Sequence, residues 1–480
     1  MITNRNYTPF SDQMRGYFDG AFGRSWTERY DAFLMQEPAE YIRVNPARIT
    51  PEGLKERLQN QYAISSEVHP LIPLCLKIDD PEGLAGKTIE HILGYYYIQS
   101  LSSMIPPLVL NPSEEDKVLD LCAAPGSKTT QLAALMNNRG TLIANDIAAE
   151  RVKSLAFNTE RMNVMNAAVM HGKGEMLSKI FHSWFDKILV DVPCSGLGVL
   201  QKKGEINKWW TTDSVKNLAE IQYRLLVSAA KMLRQRGELV YSTCTLTVEE
   251  NEQVLEQFLR KFPFKLVPVE IPLKSEAGMV LGDNQELHNT RRLIPWEVNS
   301  EGFFVAKLIK EDEITGDSEG GRHHHEQYKT GGYKKFQKDL EYLHRYFGIT
   351  PDVLNEYTYY VKSGEYQFIH RSFDFHPEAW FSRAGLKLGS ADKYGNFILS
   401  SIAAQVFNGA ITSHLYEITD LRDLKEYMAG GTIKIDSAQK GQVAVKYDGT
   451  VIGTATITPQ GLKSRFPRTL RTQKIIFGQE

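Results

Sequence analysis

Between Lys117 and Thr245 the chain alternates short apolar runs with stretches of helical length, and this alternation constrains the fold more than any other feature. Lys117-Val118-Leu119-Asp120-Leu121, Thr141-Leu142-Ile143-Ala144-Asn145-Asp146, Ala167-Ala168-Val169-Met170, Asp186-Lys187-Ile188-Leu189-Val190 and Glu238-Leu239-Val240-Tyr241-Ser242 read as strands. Thr130 to Met136, Arg151 to Asn163 and Asp213 to Arg236 read as the helices between them. The last carries Leu218, Ile221, Leu225, Ala229, Met232 and Leu233 on one stripe, with Asp213 as its expected N-cap and Gly237 as its stop. Strands joined through helices lie parallel, and right-handed crossovers wind them into a doubly wound α/β sheet covered on both faces. Ligands of such a sheet bind outside the carboxyl ends of its strands.

At 480 residues the chain exceeds one ordinary core, so several domains are expected. Hydrophobic residues make up 42% and charged residues 24%, a soluble globular composition. A formal net charge of −2 means that any nucleic-acid partner must be met by a local basic patch. No signal-peptide pattern opens the chain and no run of eighteen apolar residues occurs, so a cytoplasmic protein with no membrane partner is expected. The four cysteines, Cys75, Cys122, Cys194 and Cys244, form no Cys-x-x-Cys pair, so no metal site is expected. His323 to His325 read as solvated residues of a polar linker.

The expected organisation is an N-terminal α+β module over 1–110, the doubly wound domain over 111–310 and a linker over 311–332. A mixed α+β segment follows over 333–400, then a β-rich unit over 401–480. In the first module Tyr41 to Pro46 reads as a strand and Pro51 to Asn60 as a helix. Glu301 to Leu308 reads as the strand that closes the sheet. Asp448-Gly449, between two alternating runs, predicts a β-hairpin.

Cys122, Cys194 and Cys244 each stand at or just past the end of a predicted strand, which puts all three on one side of the sheet and points to thiol catalysis. Asp191 shares the turn of Cys194. The first strand's turn, Ala123 to Lys128, lacks both the dinucleotide fingerprint and the longer phosphate loop, so a nucleoside ligand without a phosphate fits best. S-adenosylmethionine is such a ligand. Asp146, ending the second strand, either accepts the ribose hydroxyls or simply caps the following helix.

Leu119 to Thr130, Asp191-Val192-Pro193-Cys194-Ser195-Gly196 and Tyr241-Ser242-Thr243-Cys244-Thr245 together resemble the RNA cytosine-5 methyltransferases of the nucleolar-protein/Sun family. The resemblance covers roughly residues 35–310. The full-length layout resembles the bacterial small-subunit ribosomal RNA enzymes of the F type. It implies a Rossmann-like methyltransferase domain, S-adenosylmethionine as cofactor, an N-terminal RNA-binding module and a PUA-like RNA-binding domain at the C-terminus. The cofactor loop then corresponds to Cys122, Ala123, Ala124, Pro125, Gly126, Ser127 and Lys128. Asp146 corresponds to the ribose carboxylate, and Asp191 to the junction of cofactor and base. The family's acidic residue near the adenine falls here on Lys173, with Glu175 close by. A second departure is Ser100, where an acidic residue usually follows the glutamine equivalent to Gln99.

A thiolate adding to carbon 6 of cytosine activates carbon 5 for methylation. Chemistry alone leaves open which thiol attacks, since DNA cytosine-5 methyltransferases use that of a Pro-Cys pair, here Cys194. The resemblance assigns attack to Cys244 and release to Cys194; the charge that addition pushes toward ring nitrogen 3 calls for a carboxyl group, and Asp191 is the candidate. Thr247 and Glu250 form a capping-box pattern whose helix N-terminus would favour the Cys244 thiolate. The expected partner is RNA, ribosomal RNA first with transfer RNA as the alternative substrate, bound by a monomer. A DNA methyltransferase and a non-catalytic ribosome-assembly factor are the alternatives. Lys463 to Lys474 holds five basic residues and no acidic one, a phosphate-binding pattern. Trp209-Trp210, near Lys202, Lys203 and Lys208, either stack on bases or fill a core gap.

Overall fold

The computed structural model describes residues 4–314, 333–376, 380–471 and 475–477. His323 to His325, most of the expected linker and Lys474 lie outside the described residues. Labels are used for the central sheet only: β1 Lys117–Asp120, α1 Ser127–Leu135, β2 Thr141–Asp146, α2 Ala149–Arg161, β3 Ala167–His171, β4 Phe185–Asp191, α3 Thr212–Met232, β5 Leu233–Thr243, α4 Glu252–Leu259 and β6 Phe303–Lys310.

Strands β3-β2-β1-β4-β5 run parallel in that order, and β6 joins β5 antiparallel. The order reverses between β1 and β4, which opens a crevice at their carboxyl ends. Alternation along the strands supplies two cores. Leu119, Ile188, Val190 and Tyr241 pack on one face with Leu225, Leu226 and Ala229 of α3. Val118, Leu189, Val240 and Val305 pack on the other with Leu132, Ala133 and Met136. Each buried leucine contributes about 1.5–3 kcal/mol.

Three boundaries of α3 and α4 differ from expectation. Helix α3 is capped by Thr211, whose side chain accepts from the Ser214 amide while the Thr211 amide donates to Ser214 Oγ, and Asp213 is exposed. It ends at Met232, and Leu233 to Arg236, expected to be helical, begin β5. Nor does Thr247 cap a helix: α4 starts at Glu252 with Asn251 at its N-cap, and the Thr247 hydroxyl donates to Glu250 instead.

The edge of the sheet is closed from far along the chain. Arg383–Ala384 pairs antiparallel with β3, and the Asp374 amide donates to Thr141 Oγ1. The N-terminal region holds two helices, Asp12–Phe22 and Arg24–Leu34, not foreseen in the sequence. Their Tyr17, Phe18, Trp26 and Tyr30 build an aromatic cluster with Trp210 and Trp296. Trp210 is therefore a core residue, while Trp209 is exposed. A four-stranded sheet follows, Ser65–Val68, Cys75–Asp79, Glu40–Val44 and Tyr96–Ile98 in spatial order.

Beyond the central sheet come a four-stranded sheet between Tyr357 and Leu399 and a five-stranded sheet between Leu415 and Ser464. The hairpin forms as expected: Asp448 and Gly449 take φ of 49° and 70°, the left-handed pair that a two-residue turn requires. One apolar cluster runs through Leu54, Leu58 and Tyr96, on through Leu340 and Leu343, to Val443 and Leu462. Among the described residues no helix is long and apolar enough to cross a membrane.

Candidate active site

Strand β4 stops where Pro193 withdraws a backbone donor, and β5 stops one residue before Cys244. Because β4 and β5 are neighbours with Asp191 opposite Ser242, both thiols emerge side by side. Cys194 Sγ and Cys244 Sγ are 3.1 Å apart. The hydrogen bond with Cys244, followed by burial and the nearby Glu250, pushes the Cys194 thiol well up. Cys75 is buried in an apolar core, with its thiol pushed up to about 12 by burial.

Asp191 ends β4 with both oxygens engaged. Lys128 Nζ lies 2.8 Å from Oδ2, and Ser242 donates to Oδ1 at 2.7 Å. Lys128 belongs to the first turn of α1. Its ammonium also donates to Ser103 Oγ at 3.0 Å and lies 5.1 Å from the Phe303 ring centre. Burial works against that charge, but Asp191 outweighs it and holds the lysine above its ordinary range.

The turn Cys122 to Ser127 joins β1 to α1. The Ala123 amide donates to the Asn145 carbonyl, and the Gly126 amide to the Ala123 carbonyl. Gly126 has φ of 107°, and a side chain there would press on Leu155. Asp146 does not cap α2, whose N-cap is Ala148. Instead its two oxygens accept from the Ala124 and Ala148 amides at 3.2 and 3.0 Å. Burial and the carboxylates of Asp120, Asp146 and Asp191 keep the Cys122 thiol protonated. Lys173 is exposed, ahead of the short turn Gly174–Lys179, and Glu175 is half-buried. Asp120 Oδ1 and Asn145 Oδ1 are buried without a hydrogen-bond partner, the state expected of acceptors awaiting a ligand's donors. Acidic strand ends, free acceptors and a phosphate-indifferent turn suit a cationic nucleoside such as S-adenosylmethionine.

Residues that sequence reasoning passed over complete the site. Arg43, on the N-terminal sheet, donates to the Ser127 carbonyl, Thr130 Oγ1 and Gln99 Oε1 at 3.2, 2.7 and 2.8 Å. Gln99 in turn donates to the Ser103 carbonyl and Gln131. The N-terminal module is thus wired to the turn that joins β1 to α1. Ser100 donates to Glu301 Oε2 at 2.6 Å, which brings a carboxylate beside position 100. Glu301 also pairs with Lys202 at 3.2 Å. Glu250 lies behind Cys194, its only sequence signal a Thr-x-x-Glu pattern that serves a loop rather than a helix.

A sequence model described as 16S rRNA methyltransferase RsmB/F matches residues 107–309, and one described as the methyltransferase RsmF PUA domain matches residues 418–472. The ribosomal RNA small subunit methyltransferase F of Vibrio atlanticus is 33% identical over 449 residues, covering 91% of this chain and 92% of the relative. That of Shewanella oneidensis is 35% identical, with 91% of each chain covered. Among solved structures, NSun6 from Pyrococcus horikoshii with SFG is 26% identical with a TM-score of 0.56, covering 63% of this chain and 99% of its own. A methyltransferase homologue from Pyrococcus horikoshii is 31% identical with a TM-score of 0.54, covering 62% and 93%.

Proposed function

The chain belongs to the RsmB/F family of S-adenosylmethionine-dependent 16S ribosomal RNA methyltransferases, and from that membership we propose that it methylates carbon 5 of one cytosine through a covalent Cys244–cytosine adduct. The observation that carries this reading is the pair of sulfur atoms 3.1 Å apart, beside the Lys128–Asp191 ion pair. Carbon 5 of cytosine is too weak a nucleophile alone. Cys244 adds to carbon 6 as a thiolate, and the electron pair of the carbon 5–carbon 6 bond moves onto carbon 5 and through the ring toward nitrogen 3. Lys128, held at Asp191, brings a positive charge to this end of the site. Charge reaching nitrogen 3 is met by the Asp191–Lys128 pair, in which Lys128 holds the proton and Asp191 the orientation. The helix N-terminus invoked from the sequence does not serve Cys244, since α4 begins only at Glu252.

S-adenosylmethionine supplies an electrophilic methyl carbon, and Cys122 to Lys128 with Asp146 are the residues that would hold it. In the second half Cys194 passes its own proton to the departing sulfur and takes the one on carbon 5, so the double bond re-forms as the carbon 6–sulfur pair returns to Cys244. Cys194, kept protonated by Cys244, burial and Glu250, suits this half as proton carrier to the departing sulfur.

The test uses undermethylated small-subunit ribosomal RNA, with transfer RNA as control. Cys244→Ala abolishes both methyl transfer and the adduct on denaturing gels, whereas Cys194→Ala lets the adduct accumulate. An adduct formed by Cys244→Ala reverses the two roles.

A further inference from the structure

Glu250 and Asn251 are adjacent, fully buried and turned toward different thiols. Glu250 Oε1 accepts from the Ser195 amide at 2.8 Å and from Gln222 Nε2 at 2.9 Å. Its Oε2 accepts from the Ser195 hydroxyl and, at 2.7 Å, from Thr247. Gln222 Nε2 also donates to the Pro193 carbonyl at 2.9 Å. The Pro193-Cys194-Ser195 turn therefore hangs on this carboxylate. Asn251 grips the other loop: Thr243 donates to its Oδ1 at 2.7 Å, and its Nδ2 donates to the Thr245 carbonyl at 3.2 Å. Those residues flank Cys244. Tyr241 OH, donating to the Glu250 carbonyl at 2.6 Å, anchors the pair to β5.

No lysine or arginine pairs with Glu250 among the described residues. A buried carboxylate without a cation costs stability, and apolar packing would serve the fold better. Its four donors all belong to the loops around the thiols or to the helix that braces them.

We propose that Glu250 and Asn251 form a two-sided clamp in which Glu250 positions Cys194 and Asn251 positions Cys244, so that each governs a different half of the reaction. The proposal rests on the two-thiol reading above. Both are positioning residues, and neither touches the substrate. Glu250→Ala frees the Cys194 turn, lowers turnover about 100-fold by misplacing one reacting group and accumulates adduct as Cys194→Ala does. Glu250→Gln restores turnover, because its amide oxygen takes the Ser195 amide while its NH₂ donates to the Ser195 and Thr247 hydroxyls, which can also accept. Asn251→Ala frees Cys244, and no adduct forms.

The full-length variants are compared by denaturing gel, methyl-transfer rate and cofactor affinity, which stays unchanged in all three. If an alanine variant does not fold, Ser195→Ala and Thr243→Val make the smaller cuts on the same two sides and carry the same prediction. Equal adduct levels on the two sides overturn the clamp, as does failure of Glu250→Gln to restore turnover. If Cys244→Ala itself forms adduct, the assignment of the thiols fails instead; the clamp then stands only if the two sides still differ, with their phenotypes exchanged.

Discussion

Asp120 ends β1 fully buried, with Thr129 donating to one oxygen at 2.7 Å and the other oxygen unpartnered. Burial pushes its carboxyl up to about 7, with Asp191 and Asp146 adding to the rise and Thr129 and Lys128 opposing it. An unfolded aspartate titrates near 3.9. Between about pH 4 and pH 7 the folded, cofactor-free protein therefore holds a proton that the unfolded chain has released, and its stability falls as pH rises across that window. A cationic ligand favours the ionised carboxylate, so binding releases this proton. S-adenosylmethionine affinity is expected to rise by up to about tenfold per pH unit below 7 and to level off above it, the limit for one linked proton. Calorimetry in buffers of different ionisation heat measures this, and Asp120→Asn removes the slope. A flat profile in the unaltered protein counts against the linkage. The position of Asp120 at a strand end was legible from the apolar run before it. Its charge state was not, because that depends first on burial in the packed sheet and then on Asp191 and Asp146 arriving from other strands.

At the scale of elements, the Cys244 loop depends on a backbone contact that no side chain announces. A Cβ on Gly198 would lie 2.1 Å from the Gly302 carbonyl and 2.8 Å from that of Cys244. The Gly198 amide donates to the Cys244 carbonyl, and the Gly302 amide donates to the Gly198 carbonyl. Gly198→Ala must move one of these segments. It is expected to cost about 1–3 kcal/mol, as overpacking does, and to suppress the adduct while leaving cofactor affinity unchanged. Thermal unfolding and denaturing gels read the two effects; a full adduct yield argues that the loop has slack. The strands of the sheet were legible because apolar runs and turn residues are local signals. The ends of α3 and the start of α4 were misjudged because their polar residues serve other partners. Thr247 and Glu250 look like a capping box, yet they hold the Cys194 turn.

Across the whole molecule, the N-terminal module and the C-terminal sheets share one apolar cluster rather than hanging separately from the methyltransferase sheet. Arg57 ties them further, pairing with buried Glu90 at 2.9 Å and with Asp448 at the hairpin tip. The basic tail is only partly available to RNA. Phe466 is buried against Tyr427, and Arg471 donates to the Phe466 carbonyl, so both serve the fold. Lys463, Arg465 and Arg468 are exposed. Reversing the charge of these three is expected to weaken RNA binding and to flatten its salt dependence by about 0.7–0.9 in log–log slope for each phosphate that is no longer neutralised. Binding titrations across salt concentrations measure it, and an unchanged slope removes the tail from the interface.

Sequence alone determined the doubly wound sheet, the strand-end positions of Cys194, Cys244, Asp146 and Asp191, and the hairpin at Asp448-Gly449. Each follows from periodicity or turn chemistry within a few residues. Only the tertiary structure decided that thiols fifty residues apart meet at 3.1 Å, that Lys128 turns onto Asp191, and that the Glu301 carboxylate accepts from Ser100. Such contacts depend on strand order and register, which are set by how the two faces of the sheet pack and not by any local pattern.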